Sequence, residues 1–550
     1  MGESNTSRGH MGRAWDQVAC IAVYYEAIGT WDKHNNGNEK DVYQTTSRAN
    51  SFDVEEPLHL QSTKRDLNAR HALFIAWGGT VGTGLFITTG KTLATGGPAF
   101  LVGSYVFISI LVYFILTSVI EMATFLPVRG GSMSRYGSLF VSKSLGFAMG
   151  WLYVYSFAIL VPFELTACAI LIDYWQPGIN SAVWITILLV LLVVLNLLPV
   201  RFYGEAEFIF TGVKLATIIG LLILSFILFW GGGPDRKRLG FHYWKDPGAA
   251  NTLILEGDAG RLIAAIATVI SSLLPFTLTP EMVVGTAAEI KDPMRNVPRV
   301  AKHFTWRLVV LFVGSVIGIS VICPSNASSL TSGSDAASSP WVAGIRQAGI
   351  PGLDSVINAV ALIAAWSTGN AFLYLSSRCL HSMAMEGSAP RIFQRCTAKG
   401  VPIYAVGATS CVALLAYMTL NSSSATVLNW LLNLVNTGGL LSWVCCSITY
   451  LRFRKACEIQ RVPKSQLTQR SPLQPYASWI TLVVFSILTL LNGFTVFFPS
   501  QWSTASFMSA YIGLPVFLIL YFGHRFVYRK DAWAIPPEFV DLRLDPAELE

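Results

Sequence analysis

Few ionisable residues stand inside the long apolar stretches, and four of them are candidates for chemistry. Glu121 ends one stretch, and Glu164 lies deep in the next, within Pro162-Phe-Glu-Leu-Thr. Lys214 follows Glu205 and Glu207 by about two helical turns. Glu281 closes the run Ser271-Ser-Leu-Leu-Pro275-Phe276-Thr277-Leu278-Thr279-Pro280-Glu281. A charge at the centre of a bilayer costs on the order of 2.5–3.5 kcal/mol by insertion scales, so each group needs a partner or a task. Two chemistries fit: a proton relay or counter-charge set for a solute, and structural pairing, for example of Lys214 with one of the glutamates. Glu164 and Glu281 are read as functional, and Lys214 is left between the two. Glu121, near an interface, is expected to order a loop beside Arg129 or Arg135, with a gating role as its functional alternative.

Backbone chemistry is the other candidate. Gly78 to Gly84 reads GGTVGTG within a segment free of charge from Ala72 to Gly90. Each glycine in a helix interior costs roughly 0.5–1 kcal/mol relative to alanine, so the helix is expected to break there. Released N–H and C=O groups are tolerable in a membrane only where they line a cavity or meet a ligand. Close glycine-mediated packing is the plain alternative. The run from Ser271 to Glu281 carries two prolines, which also interrupt a helix. Neither the eight histidines nor the nine cysteines show ligand spacing, so no metal site and no cofactor is expected. No convincing nucleophile–base pair suggests an enzyme.

These groups must be positioned by membrane helices. Of 550 residues, 53% are hydrophobic and 13% charged, and mean hydropathy is +0.50. A soluble chain carries about 25% charge. The net charge of +7 does not point to nucleic acid, because the basic residues flank apolar spans. Twelve spans are expected, at 72–93, 98–123, 145–173, 182–200, 206–230, 262–285, 306–324, 354–377, 402–420, 427–451, 477–498 and 505–527. The first and sixth are the broken ones. Five spans separate their starts, the pattern of a five-plus-five inverted repeat whose facing breaks bind a solute, with two extra helices following. Two unrelated proline and glycine kinks would be the simpler account.

The fold expected is an all-α membrane protein. Residues 1–70 form a polar tail with no cleaved signal, 71–528 the membrane domain (71–230 first repeat, 262–451 second, 477–528 the last two helices), and 529–550 a short second tail. Lysine and arginine cluster in the loops at Arg129–Lys143, Lys291–Lys302, Arg391–Lys399 and Arg452–Arg470, which places those loops and both termini in the cytoplasm. The sequons at Asn326 and Asn421 fall on the other side. Trp430 and Trp443 are read as packing aromatics. Ser376-Ser377-Arg378 reads either as an inner gate or as an anchored helix end, and Glu289, Lys291 and Asp292 as a solvated face.

Several long motifs in order resemble one family. GGTVGTGLF, EMATFLPVRGG with SLGFAMGWLY, LYLSSRCLHSMAMEGSAPRIF with GVP, and WLLNLVNTGGLLSW with YLRFRKA are similar to the fungal amino-acid permeases of the amino acid–polyamine–organocation superfamily. The resemblance covers about Arg65 to Lys530 and implies proton-coupled amino-acid uptake across the plasma membrane. It implies that a substrate carboxylate meets the amides of Gly82, Thr83 and Gly84. The amino group would meet carbonyls of Thr80 and Val81 and the sixth-span residues Phe276, Thr277 and Thr279. Glu164 matches a residue linked to substrate preference, and Lys214 a lysine that replaces a sodium site in proton-coupled relatives. The sixth span departs from the family pattern: Thr279 stands in place of a glycine and Pro280 in place of a threonine. The expected partners are an amino acid, a proton and the lipid bilayer, with no nucleic acid and no obligate protein partner evident. The alternatives are a carrier of a polyamine, choline or γ-aminobutyrate on the same fold, and a nutrient sensor, which the short tails disfavour.

Overall fold

In hydrocarbon each apolar run must close its own backbone hydrogen bonds, which selects helix throughout. The computed structural model describes residue 79 and residues 81–126, 133–176, 178–282, 309–331, 339–398, 400–463, 467, 470–529 and 531–542. No strand occurs among them. The expected tail over 1–70, Thr80, Arg129 and the loop bearing Glu289, Lys291 and Asp292 lie outside the described residues.

Gly79 is helical, Val81 and Gly82 form a bend, and helix resumes at Thr83. A π-helical turn, Gly84–Thr88, leads into α1, Thr89–Phe125. Helix α1 turns a corner at Gly97 (φ 80°, ψ 174°) ahead of Pro98, so it holds both the end of the first expected span and the second. Glycine is required there, since a Cβ would also lie 2.9 Å from the Ala249 carbonyl. The loop caps this corner: Ala99 N–H donates to Ala249 O at 2.9 Å, and Asn251 N–H to Gly96 O at 3.0 Å.

Next come α2, Met133–Phe140, and α3, Lys143–Asp173. Ser142 caps α3 by accepting the Leu145 N–H. Helix α3 is buried along nearly its whole length and so forms the centre of the bundle. Helix α4, Ser181–Leu197, exposes Val183, Ile187, Val190, Leu191 and Val194. That spacing is one helical face, turned to lipid. Helix α5, Val200–Phe229, and α6, Gly257–Ser271, follow. After α7, Val309–Ile322, and the short α8, Pro340–Gln347, come α9, Leu353–Met385, α10, Ile403–Ala413, and α11, Ser424–Ile459. The last are α12, Tyr476–Leu491, α13, Thr504–Tyr511, and α14, Gly513–Val527, with a 41° bend between α13 and α14.

Each expected span contains a described helix. Among the described residues, seven helices are long and apolar enough to cross a membrane, eight if the bent pair is one span, and three shorter apolar helices accompany them. Two helices overrun their expected ends. Helix α9 continues past 377 and α11 past 451, so Arg452 and Arg454 are helical residues rather than loop charges. A charge marks where the lipid ends, and a helix need not stop there.

That overrun changes the account of Glu121. Its two oxygens accept the Tyr450 hydroxyl at 2.7 Å and an Arg454 N–H at 2.8 Å, both from α11. Glu121 and Arg454 are buried, so the pair ties α1 to α11; of the two arginines expected beside Glu121, Arg129 lies outside the described residues. The second tail also packs here. Asp531 accepts the Ser144 N–H at 2.8 Å, one of the unpaired donors at the start of α3. Ile535 N–H donates to Val141 O at 2.8 Å, Arg452 donates to Ile535 O, and Gln460 donates to Pro537 O and Val540 O.

Glu121→Gln should strand a buried arginine and destabilise the fold by about 3–5 kcal/mol. Asp531→Ala should cost about 1 kcal/mol, the scale of a lost cap. Thermal melting followed by size-exclusion chromatography in detergent checks the order: the first variant must melt well below the second.

Candidate functional site

The two interruptions meet. A Cβ on Gly84 would lie 3.0 Å from Pro275 Cα, and one on Gly79 would overlap the end of the Met282 side chain. At Gly84 the neighbour is the Pro275 backbone and ring, so a side chain there would press the two bends apart. In the sixth span α6 ends at Ser271, a 3₁₀ turn takes Leu274–Phe276, and helix resumes at Thr279. Pro275 and Pro280 each sit in the first turn of their helical piece, where a missing N–H costs nothing. The sharpest point lies between them: Leu278 has φ 59°, the left-handed region, and is fully buried. A branched residue in that region stores strain of order 1–3 kcal/mol, which surrounding packing must hold.

At the first interruption the freed groups have identifiable surroundings. Thr83 donates its hydroxyl to Glu164 Oε1 at 2.9 Å, joining the bend to α3. Glu164 Oε2 is buried and has no hydrogen-bond partner among the described residues. Thr368 Oγ1 of α9 lies 3.4 Å from Val81 O and 2.8 Å from Ala364 O. Lys214 Nζ of α5 donates to Thr368 Oγ1 at 3.1 Å. Thus Val81, Gly82, Thr83, Gly84, Glu164 and Lys214 share one buried cluster.

At the second interruption Phe276 is enclosed by Tyr105 and Phe312, with ring centres 5.6 and 5.0 Å away. Thr277 packs on Gly439 of α11, where a Cβ would come within 2.6 Å of its methyl. Thr279 is buried, with its hydroxyl unpartnered among the described residues. Glu281 belongs to a separate group: Oε1 accepts the Ser442 hydroxyl, Cys446 Sγ lies 3.8 Å away, and the Ser442 and Tyr153 hydroxyls are 2.9 Å apart. Its Oε2 has no hydrogen-bond partner among the described residues. Glu121 stands apart from both groups, paired with Arg454.

Of the lesser candidates, Trp443 is fully buried against Phe485, with ring centres 4.7 Å apart, and Trp430 is partly buried. Ser376 donates to Val154 O, and Arg378 donates to Gly400 O and lies over Tyr374. These contacts fasten α9 to α3 and to the chain at Gly400. Thr368, Ser367 and Ser442 were missed by sequence reasoning. The signal existed for the first two: Ser367-Thr368-Gly369-Asn370 is a run of small polar residues within an apolar span.

A helical membrane bundle with two contacting helix breaks at its centre is the architecture of a solute permease. The chain belongs to the amino acid permease family, whose model matches residues 71–533. It is 42% identical over 494 residues to the proline-specific permease of Emericella nidulans, covering 89% of this chain and 90% of that protein. It is 39% identical over 559 residues to the proline-specific permease of Saccharomyces cerevisiae, covering 95% and 88%. A crystal structure of a manganese transporter from Eremococcus coleocola has the same fold with a TM-score of 0.52 at 14% identity, over 84% of this chain and 95% of that one.

A Cβ on Gly82 would lie 2.5 Å from Thr368 Oγ1 and 2.8 Å from its methyl, so a side chain there must push the bend off α9. Gly82→Val should lower uptake at least about tenfold at equal surface abundance, a change of roughly 1.4 kcal/mol. Adding Thr368→Ala to Gly82→Ala should recover part of the loss. Initial uptake rates with surface biotinylation check both.

Proposed function

We propose that this permease is a proton-coupled symporter that carries an amino acid into the cell across the plasma membrane by alternating access, with proline as its first candidate substrate. The observation that carries the reading is the direct contact of the two interruptions, Gly84 on Pro275. It supports a reading in which main-chain polar groups of both interruptions surround one small solute. Amides at the start of a helical segment favour an anion, which suits a carboxylate at Gly82, Thr83 and Gly84. Carbonyls at Val81, Phe276 and Thr277, with the Thr279 hydroxyl, suit an ammonium. A zwitterion satisfies both.

Proline is favoured by the names of the two relatives and by the departure at Thr279. A secondary ammonium brings two N–H donors where a primary one brings three, so it needs fewer free carbonyls. A threonine in place of glycine narrows the space beside them, which suits a compact ring. Glu164, with one oxygen on Thr83 and the other unpartnered among the described residues, would serve as a charge facing the substrate or as a proton carrier. Lys214 would sense the proton through Thr368, and Glu281 would complete the relay toward α11. Alternating access follows if proton and substrate together bias which face the two interruptions open to.

Whole-cell uptake of a labelled amino-acid panel at two external pH values tests the reading. Proline uptake should rise as external pH falls and collapse with an uncoupler. Uptake indifferent to both treatments rules out proton coupling. Analogues lacking the α-carboxylate should fail to compete; effective competition by a polyamine, choline or γ-aminobutyrate would move the substrate class. Lys214→Met should abolish uptake or remove its pH dependence, and a normal pH profile in that variant takes Lys214 out of the relay.

A further inference from the structure

One buried carboxylate has no part in the reading above. Glu207 lies on α5, about two turns before Lys214, and both side chains are fully buried. Glu207 Oε1 is 4.0 Å from Lys214 Nζ. The Ser367 hydroxyl of α9 lies 3.1 Å from each Glu207 oxygen, and Thr211 donates to Oε1 at 3.3 Å. The carboxylate is therefore held in place by two helices. The next residue of α9, Thr368, takes the Lys214 ammonium at 3.1 Å and lies 3.4 Å from the Val81 carbonyl. Consecutive residues of one helix thus carry the two members of an ion pair. The second of them touches the main chain of the first interruption.

We propose that Glu207 is the positioning residue for the coupling lysine: it is the fixed counter-charge that keeps Lys214 an ammonium directed at Thr368. The inference rests on the proton-coupled reading above. A lone lysine charge in a dry interior is costly, and an opposite charge at this distance offsets that cost. Two titratable groups face Lys214 among the described residues: Glu207 on its own helix and Glu164 on α3. Helix α9 brings Ser367 and Thr368, and the first interruption brings Val81 and Gly82, none of which titrates. Glu164 is engaged with Thr83 at the bend itself, where it answers to the substrate. Glu207 is held by Thr211 and Ser367, so its charge stays fixed while the bend moves. When the bend shifts against α9, the Thr368–Val81 contact breaks while the Glu207–Ser367 contact stays. The proton held on Lys214 is in this way tied to the position of the first interruption.

The test is Glu207→Gln, which keeps the shape and an acceptor for Ser367 but removes the charge. With surface abundance matched by biotinylation, uptake against external pH should keep its form but move at least one pH unit toward acid, a tenfold higher proton concentration for half-maximal rate. Glu207→Asp should move it less. An unchanged midpoint with only a lower maximum would show a structural role and overturn the proposal. If Glu207→Gln does not reach the surface, the double variant Glu207→Gln/Lys214→Met decides. Removing both charges should restore abundance and thermal stability over Lys214→Met alone, and no recovery overturns the pairing. If wild-type uptake ignores both pH and uncoupler, the proton-coupled reading has failed, and the recovery in the double variant still decides whether Glu207 is the counter-charge of Lys214.

Discussion

An amide group in hydrocarbon must find a partner inside the protein, and that requirement organises this molecule. Most of the chain meets it by unbroken helix. At the two interruptions it does not, and side chains from neighbouring helices take the partner's place. Val81 O is met by Thr368, the Thr83 hydroxyl by Glu164, and the resumed turn folds Leu85 N–H and Phe86 N–H back onto Gly82 O. The helices α3, α5, α9 and α11 are placed so that their polar side chains reach these two bends.

Polar contacts around the bends come in two layers. Some lie at the bends themselves, such as Thr83 with Glu164 and Val81 with Thr368. Others hold helices in register behind them. Glu207, Lys214 and Ser367 join α5 to α9, and Ser442, Tyr153 and Glu281 join α11 to α3 and the sixth span. Breaking a buried pair by removing one partner is far more damaging than replacing both, because the survivor is left charged and dry.

Far from the bends, the basic face is built differently. There Glu121 with Arg454, and Asp531 with the start of α3, fasten helix ends to one another. Tyr450 and the backbone of the second tail complete the same seam. The contrast is physical: near water, end-on hydrogen bonds can anchor a helix, whereas at mid-membrane only close backbone approach through glycine and a few buried charges is affordable.

Much of this was legible in the residue string. Apolar runs of bilayer length show where helices lie, and glycine clusters or paired prolines show where they fail, because both effects act within a few residues. The motif GGTVGTG and the run ending at Glu281 therefore marked the two bends correctly. Partners were not legible. That Glu121 meets Arg454 of α11, that Thr368 bridges Lys214 and Val81, and that Leu278 takes the left-handed turn depend on which helices pack side by side. Those contacts join residues up to 333 positions apart. Hydrophobicity specifies that a helix is buried in lipid but carries no direction, so only the packed bundle could decide which faces meet.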